Sequence, residues 1–153
     1  MKLIDGVKVK PLQVIPDERG RLFEMVRRDD PMFTKFGQVY CTTVHAGVVK
    51  GWHFHKKQID NFVCVSGMIK LVAYDSRPTS ATKGLVNEWC LGIHNPLLVQ
   101  IPAGVYHGFK GLTEPEAVVI NTPSEPYHHA RPDEYRLDPH QNNIPYDWAR
   151  KDG

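Results

Sequence analysis

A chain of 153 residues with a formal net charge of +2 is the size of one domain, long enough to bury most of the apolar surface its unfolded form exposes. Its 41% hydrophobic and 24% charged residues exclude a disordered chain, and the near-neutral balance supplies no field for a nucleic acid or a membrane surface. Neither is expected as a partner, although a small anion such as a nucleotide needs only a local basic cluster. The opening "MKLIDGVKVK" has no apolar segment behind its positive charge, so no signal peptide is expected, and no apolar run approaches membrane-spanning length. Cys41, Cys64 and Cys90 form no CxxC pair, which favours a cytoplasmic protein with reduced, structural thiols.

In chain order, β-rich runs recur between turn residues: "VKVKPLQVI", "GRLFEMV", "GQVYCTTV", "GVVKGWHFH", "DNFVCVSG", "MIKLVAYD", "VNEWCLG", "LLVQIPAG" and "AVVINTP". Gly and Pro punctuate them and helical periodicity is nearly absent, so the spacing predicts an all-β antiparallel sandwich or barrel. One helical turn fits "RRDDPMFTKFG". From Pro123 onward the chain is rich in Pro, His, Asp and Tyr, and its aromatic residues predict an ordered, irregular tail wrapped over the sheet.

Side chains two apart share a face of a strand, so His53 and His55 point one way and Trp52 and Phe54 the other. Imidazoles lining an interior suit a borderline metal or an acid/base device. A purely structural role, as polar interior residues, suits His45 and His94 better.

The spacing Gly47-x5-His53-x-His55-x4-Asp60-x6-Gly67 resembles the first cupin motif, with Asp where Glu is usual, and Pro102-x-Gly104-x2-His107 resembles the second. The resemblance implies a cupin double-stranded β-helix, a jelly-roll barrel with few short helices, over a single domain of residues 1–153. Several segments also resemble the dTDP-4-dehydrorhamnose 3,5-epimerase family. "DERGRLFE" is similar to its D-x-R-G-x-F-x-E opening, "VVKGWHFH" to its V-L-R-G-L-H-F/Y-Q, and "LVAYDSRPTSATKG" to its D-V-x-V-D-x-R-x-x-S-P-T-x-G. "IPAGVYHGF" is similar to its I-P-x-G-x-A-H-G-F and "RLDPHQNNIPYDW" to its W-x-D-P-x-x-x-I-x-W, so the matches run in order along nearly the whole chain.

What that resemblance implies is an isomerase that moves a proton beside the ketone of a nucleotide-linked 4-keto-6-deoxy sugar, for cell-surface polysaccharide. Such chemistry needs a base of near-neutral pKa and cations or donors that stabilise an enolate oxygen. His53 matches the family's base and His107 its second active-site histidine, while Lys50 stands where the family has Arg. Gly51 would permit the bend that turns Lys50 into the cavity. Arg19 matches a residue that binds the diphosphate, a task suited to a guanidinium. Glu24 belongs to the same opening motif, and Gln38 falls where the family has a substrate-contacting Gln. A homodimer is also implied, in which N-terminal strands within residues 1–30 extend the partner's sheet and contribute Arg19 or Phe23; residues 123–153 form the tail.

Four features depart from the family pattern. His55 replaces a Gln, and with His53, Asp60 and His107 it would make up a divalent-metal ligand set, the alternative to the metal-free, cofactor-free reading. Asp60 replaces a lysine that holds the enolate, which leaves that task to Lys50 or Lys56. Ile120 and Asn121 stand where the family has its acid, a tyrosine, so Tyr40 or Tyr127 would substitute. The carboxylate that orients the base falls on Asp152 in "ARKDG", with Asp138 or Asp147 as alternatives. Beside the metal-free epimerase stand two further readings, a metal-dependent cupin enzyme and a non-catalytic sugar-nucleotide-binding cupin.

Overall fold

The structure, a computed structural model, describes residues 1–152; Gly153, the last residue of the expected domain, lies outside the described residues. The strands run β1 Lys8–Pro11, β2 Ile15–Asp17, β3 Gly20–Leu22, β4 Tyr40–His45, β5 Val49–Phe54, β6 Asp60–Ser66, β7 Met68–Tyr74, β8 Val86–Gly92, β9 Leu97–Ile101, β10 Tyr106–Gly111, β11 Glu116–Asn121 and β12 Tyr135–Arg136. They form two five-stranded sheets, β1-β9-β6-β11-β4 and β12-β5-β10-β7-β8, together with the hairpin β2-β3. All the strand pairs are antiparallel. Among the described residues no helix forms. The stretch expected to hold a helical turn is instead held by turn bonds, Asp30 N–H to the Arg27 carbonyl and Phe33 N–H to the Asp30 carbonyl.

Alternation builds the core. Ile69, Leu71 and Ala73 of β7, Trp89 and Leu91 of β8, Val99 and Ile101 of β9, and Ala117 and Val119 of β11 all face one interior between the sheets. The intervening residues face outward, and the two outer faces are covered differently. Leu12, Val63 and Leu98 on the first sheet lie under Phe23, Met25, Val26 and Met32. On the second sheet, Trp52 and Val72 lie under Ile144, Tyr146 and Trp148 of the tail. Trp148 leans on Trp52 with ring centroids 4.9 Å apart.

Polar ties hold the tail in place. Lys110 Nζ donates to the Trp148 carbonyl at 2.8 Å, Lys70 Nζ to that of Ala149 at 3.3 Å, and the Tyr146 hydroxyl donates to Glu88. The segment Asp75–Gly84 is knotted around the buried Asp75 carboxylate. It accepts from Arg77 Nε and Nη2 at 2.8 Å each, Ser80 Oγ at 2.5 Å and Thr82 Oγ1 at 2.6 Å. The hairpin β2-β3 stands apart, with Ile15 and Leu22 exposed.

Trp148 is 2% exposed, so truncating it opens a cavity over Trp52. Trp148→Ala is expected to destabilise the fold by about 3–5 kcal/mol, read as a lower denaturant midpoint. A midpoint equal to that of the parent would mean the tail contributes nothing to the second sheet.

Candidate active site

His53 on β5 and His107 on β10 are register partners, and their ring centroids lie 4.4 Å apart. The strands approach closely because two glycines meet there: a Cβ on Gly51 would lie 2.9 Å from the Gly108 Cα. Next to them, Gly104 holds a φ of +81°, a conformation glycine adopts without strain, and its N–H donates to the His55 carbonyl at 2.7 Å. That bond stitches the second histidine motif to the first.

Behind these rings sits Asp60, 1% exposed. Its Oδ1 accepts from Gln58 Nε2 at 2.8 Å and from Asn121 Nδ2 at 2.7 Å. Its Oδ2 lies 3.2 Å from His55 Nε2 and 3.2 Å from His107 Nε2. Both rings spend their Nδ1 hydrogens on backbone, His107 on the Val105 carbonyl at 3.1 Å and His55 on that of Asp133. Burial disfavours the Asp60 carboxylate, but His107 and then His55 outweigh it and hold its pKa well below the usual range. Burial likewise opposes charge on His55, yet the Asp60 carboxylate wins and raises its pKa.

Asp60 Oδ2 and His107 Nε2 are buried 3.2 Å apart with neither in a hydrogen bond, so a positive charge shared between them would satisfy both. A proton meets that need, and the trio is also a donor set that fits a divalent ion, with each histidine held by a carbonyl as metal ligands commonly are. An ion held by His55, Asp60 and His107 would supply fixed positive charge and Lewis acidity beside the base. His53 lies outside that group.

His53 opens on a cleft between the sheets. One part, of about 490 Å³, is lined by Tyr40, Thr42, Lys50 and His53, and an adjoining part of about 350 Å³ by Gln38, His55 and Tyr127. Tyr40, His53, Glu134 and Arg136 line both. Burial, then the neighbouring His107, lowers the His53 pKa well below its ordinary 6.5, so the ring is neutral at neutral pH with no hydrogen-bond partner among the described residues. Lys50 Nζ reaches from β5 to Thr42 Oγ1 on β4 at 2.9 Å, which puts an ammonium across the mouth. Burial raises the Tyr40 pKa to about 12, so its hydroxyl keeps its hydrogen.

The family profile described as dTDP-4-dehydrorhamnose 3,5-epimerase matches residues 2–153. The chain belongs to that family. It is thus a carbohydrate epimerase with a cupin barrel. It is 38% identical over 146 residues to the spore coat polysaccharide biosynthesis protein SpsL of Bacillus subtilis, covering 95% of this chain and 97% of that one. The crystal structure of a dTDP sugar isomerase from Desulfovibrio desulfuricans superposes with a TM-score of 0.91 at 32% identity, over 97% and 94% of the two chains. ChmJ, a 3'-monoepimerase from Streptomyces bikiniensis in complex with dTDP-quinovose, gives a TM-score of 0.80 at 26% identity, over 89% of this chain and 71% of that one.

Of the residues expected in this epimerase's site, the fold brings together His53, His107, Lys50, His55, Gln38, Tyr40 and Tyr127. Gln38 Oε1 accepts the Tyr127 N–H at 3.1 Å. Arg19 and Glu24 lie elsewhere: Arg19 is at the tip of the β2-β3 hairpin, its side chain 84% exposed and paired with Asp17, and Glu24 pairs with Arg27. Asp152 does not reach His53; its side chain is 72% exposed and pairs with Arg150, because the tail crosses the outer face of the second sheet. Asp138 and Asp147 instead accept from the nearby backbone N–H groups of His140, Gln141 and Ala149. Lys56 sits over the Tyr135 ring and is absent from the residues lining the cleft. His45 and His94, expected inside, are exposed.

Glu134 and Arg136 were not anticipated. They flank Tyr135 on β12, pair with each other at 2.9 Å and form a lip of the cleft beside His53. The alternation of "EYR" is the only signal for them, and two strand residues are too few to read.

The lowered His53 pKa sets a pH dependence. Were His53 the base that the sequence leads one to expect, activity would fall as pH drops through its folded-state value, and the acid limb of kcat/KM should lie below pH 6.5. The unfolded chain takes up this proton near 6.5 while the folded chain does not, so the His53 contribution to stability falls as pH drops from there toward the folded value. An acid limb at or above pH 6.5 would contradict a half-buried neutral base.

Proposed function

We propose that this epimerase acts on a nucleotide-linked 4-keto-6-deoxy sugar, with His53 as the base that removes the hydrogen from a carbon beside the ketone. The carrying observation is the state of His53: half-buried, neutral, free of protein hydrogen bonds and facing a sugar-sized cleft. Lys50 and Arg136 supply positive charge around the same ring, suited to an enolate oxygen or a phosphate. The complex of ChmJ with dTDP-quinovose supports a dTDP-linked substrate, and the name of the Bacillus relative supports a place in polysaccharide biosynthesis. Among the described residues no helix is long and apolar enough to cross a membrane, in keeping with work in the cytoplasm on a soluble nucleotide sugar.

The reaction runs without a metal in this reading, because the base stands outside the trio that would hold one. Solvent deuterium should enter the sugar at the carbon beside the ketone. His53→Asn should slow that exchange by about 10²–10⁴-fold, and prolonged dialysis against a chelator should leave it unchanged. Full exchange in the variant would remove His53 from its role, and exchange lost to the chelator and restored by a divalent ion would establish the metal-dependent mechanism.

The working unit is a homodimer in which the β2-β3 hairpin crosses to the partner. Its exposed Ile15 and Leu22 and the outward Arg19 support this, since a short hairpin presenting apolar residues and open edges is a liability when alone. Arg19 would then meet the substrate's diphosphate in the neighbouring cleft. Arg19→Ala should raise KM roughly tenfold or more with kcat nearly unchanged, the loss of about 1.5–3 kcal/mol for a charged hydrogen bond. A monomer by sedimentation with a parental KM in the variant would refute the exchanged arm.

A further inference from the structure

An epimerase must return a proton to the face of the carbon opposite its base, and the family's tyrosine for that step is missing here. Ile120 and Asn121 fall at its place on β11, and Asn121, the buried one of the two, has Tyr40 as its cross-strand register partner on β4. We propose that Tyr40 is the acid, its hydroxyl carried on the neighbouring strand and aimed into the cleft by Asn121. This rests on the epimerase reading of His53.

The hydrogen bonds fix the direction of the hydroxyl. Asn121 Oδ1 accepts the Asn61 N–H at 2.9 Å, which sets the orientation of the amide. Its Nδ2 then gives one hydrogen to Asp60 Oδ1 at 2.7 Å and the other to the Tyr40 oxygen at 2.9 Å. Tyr40 is the acceptor in that bond, so its own hydrogen has to point elsewhere. Among the described residues nothing accepts it. The open direction is the cleft, whose two parts Tyr40 and His53 both line. They do so from different sheets, Tyr40 from β4 of the first and His53 from β5 of the second. A sugar ring between them meets the imidazole on one side and the phenol on the other.

The step balances without a co-reactant. His53 takes the proton of the C–H bond, and that electron pair becomes the enolate. The enolate carbon then takes the hydrogen of the Tyr40 O–H bond as the ketone re-forms with inverted configuration. The imidazolium gives up its proton and the phenolate regains one, through solvent, before the next turnover. Tyr127 is a weaker candidate on geometry: it touches the network through its backbone N–H rather than through its hydroxyl, whereas the Tyr40 hydroxyl accepts from Asn121.

The test separates removal of the proton from its return. A dTDP-linked 4-keto-6-deoxy glucose is incubated in deuterium oxide, and label and stereochemistry are followed by NMR. In Tyr40→Phe the base still works, so deuterium should enter recovered starting sugar with retention, while formation of the epimer falls by about 10²-fold or more. In Tyr127→Phe exchange and inversion should stay coupled, whatever their level. Equal losses of exchange and inversion in Tyr40→Phe would make Tyr40 a positioning residue and overturn the proposal, as would unchanged inversion or the same split appearing in Tyr127→Phe. Absence of exchange in the parent enzyme would instead sink the epimerase reading, and this proposal with it. Bound dTDP measured calorimetrically on each variant reports that the cleft is intact.

Discussion

A buried carboxylate organises this protein's interior. A charge as deep as that of Asp60 costs several kcal/mol unless it is paired and hydrogen-bonded, and it is surrounded accordingly: Gln58 and Asn121 donate to one oxygen while His55 and His107 face the other. Three of those partners are held in turn by backbone. The carbonyls of Val105 and Asp133 fix the two imidazoles, and the Asn61 N–H fixes the amide of Asn121. These groups form one connected polar network, so the directions of the His55, His107 and Tyr40 rings trace back to one negative charge.

That network also changes the meaning of two departures from the family pattern. Asp60 replaces a lysine, and Asn121, with Ile120, falls where a tyrosine is expected; the sequence leaves those tasks to Lys50 or Lys56 and to Tyr40 or Tyr127. In space Asp60 and Asn121 are hydrogen-bonded to each other. The same Asn121 amide also donates to the Tyr40 hydroxyl oxygen, so both positions belong to one hydrogen-bonded group. A sequence shows substitutions one position at a time, and sixty-odd residues separate this pair along the chain.

Much of the barrel was legible, because alternation over runs such as "MIKLVAYD" is strong and each of the nine expected β-rich runs contains a strand. The exceptions have physical causes. β10, which carries His107, holds two glycines in six residues, and its pairing rests on close backbone approach rather than on strand-favouring side chains. β12 is two residues long and exists only because it docks on β5; the cleft lip of Glu134 and Arg136 went with it. The histidine motif could be read from spacing, and Lys50 from the family resemblance of the segment that carries it. The partner of the base could not, since the tail's path over the second sheet is decided by Trp148 meeting Trp52, far apart in sequence.

The knot around Asp75 has a bearing on how such chains are classified. Its Asp, Arg, Ser and Thr spend their polar groups on one another and on the Asp5 carbonyl, and none of them lines the cleft. This stretch is among the segments most like the family pattern, yet it reports on how a loop is tied and carries no information about stereochemical outcome. Selection on folding alone would preserve it, so lineages could diverge in product while keeping this signature intact.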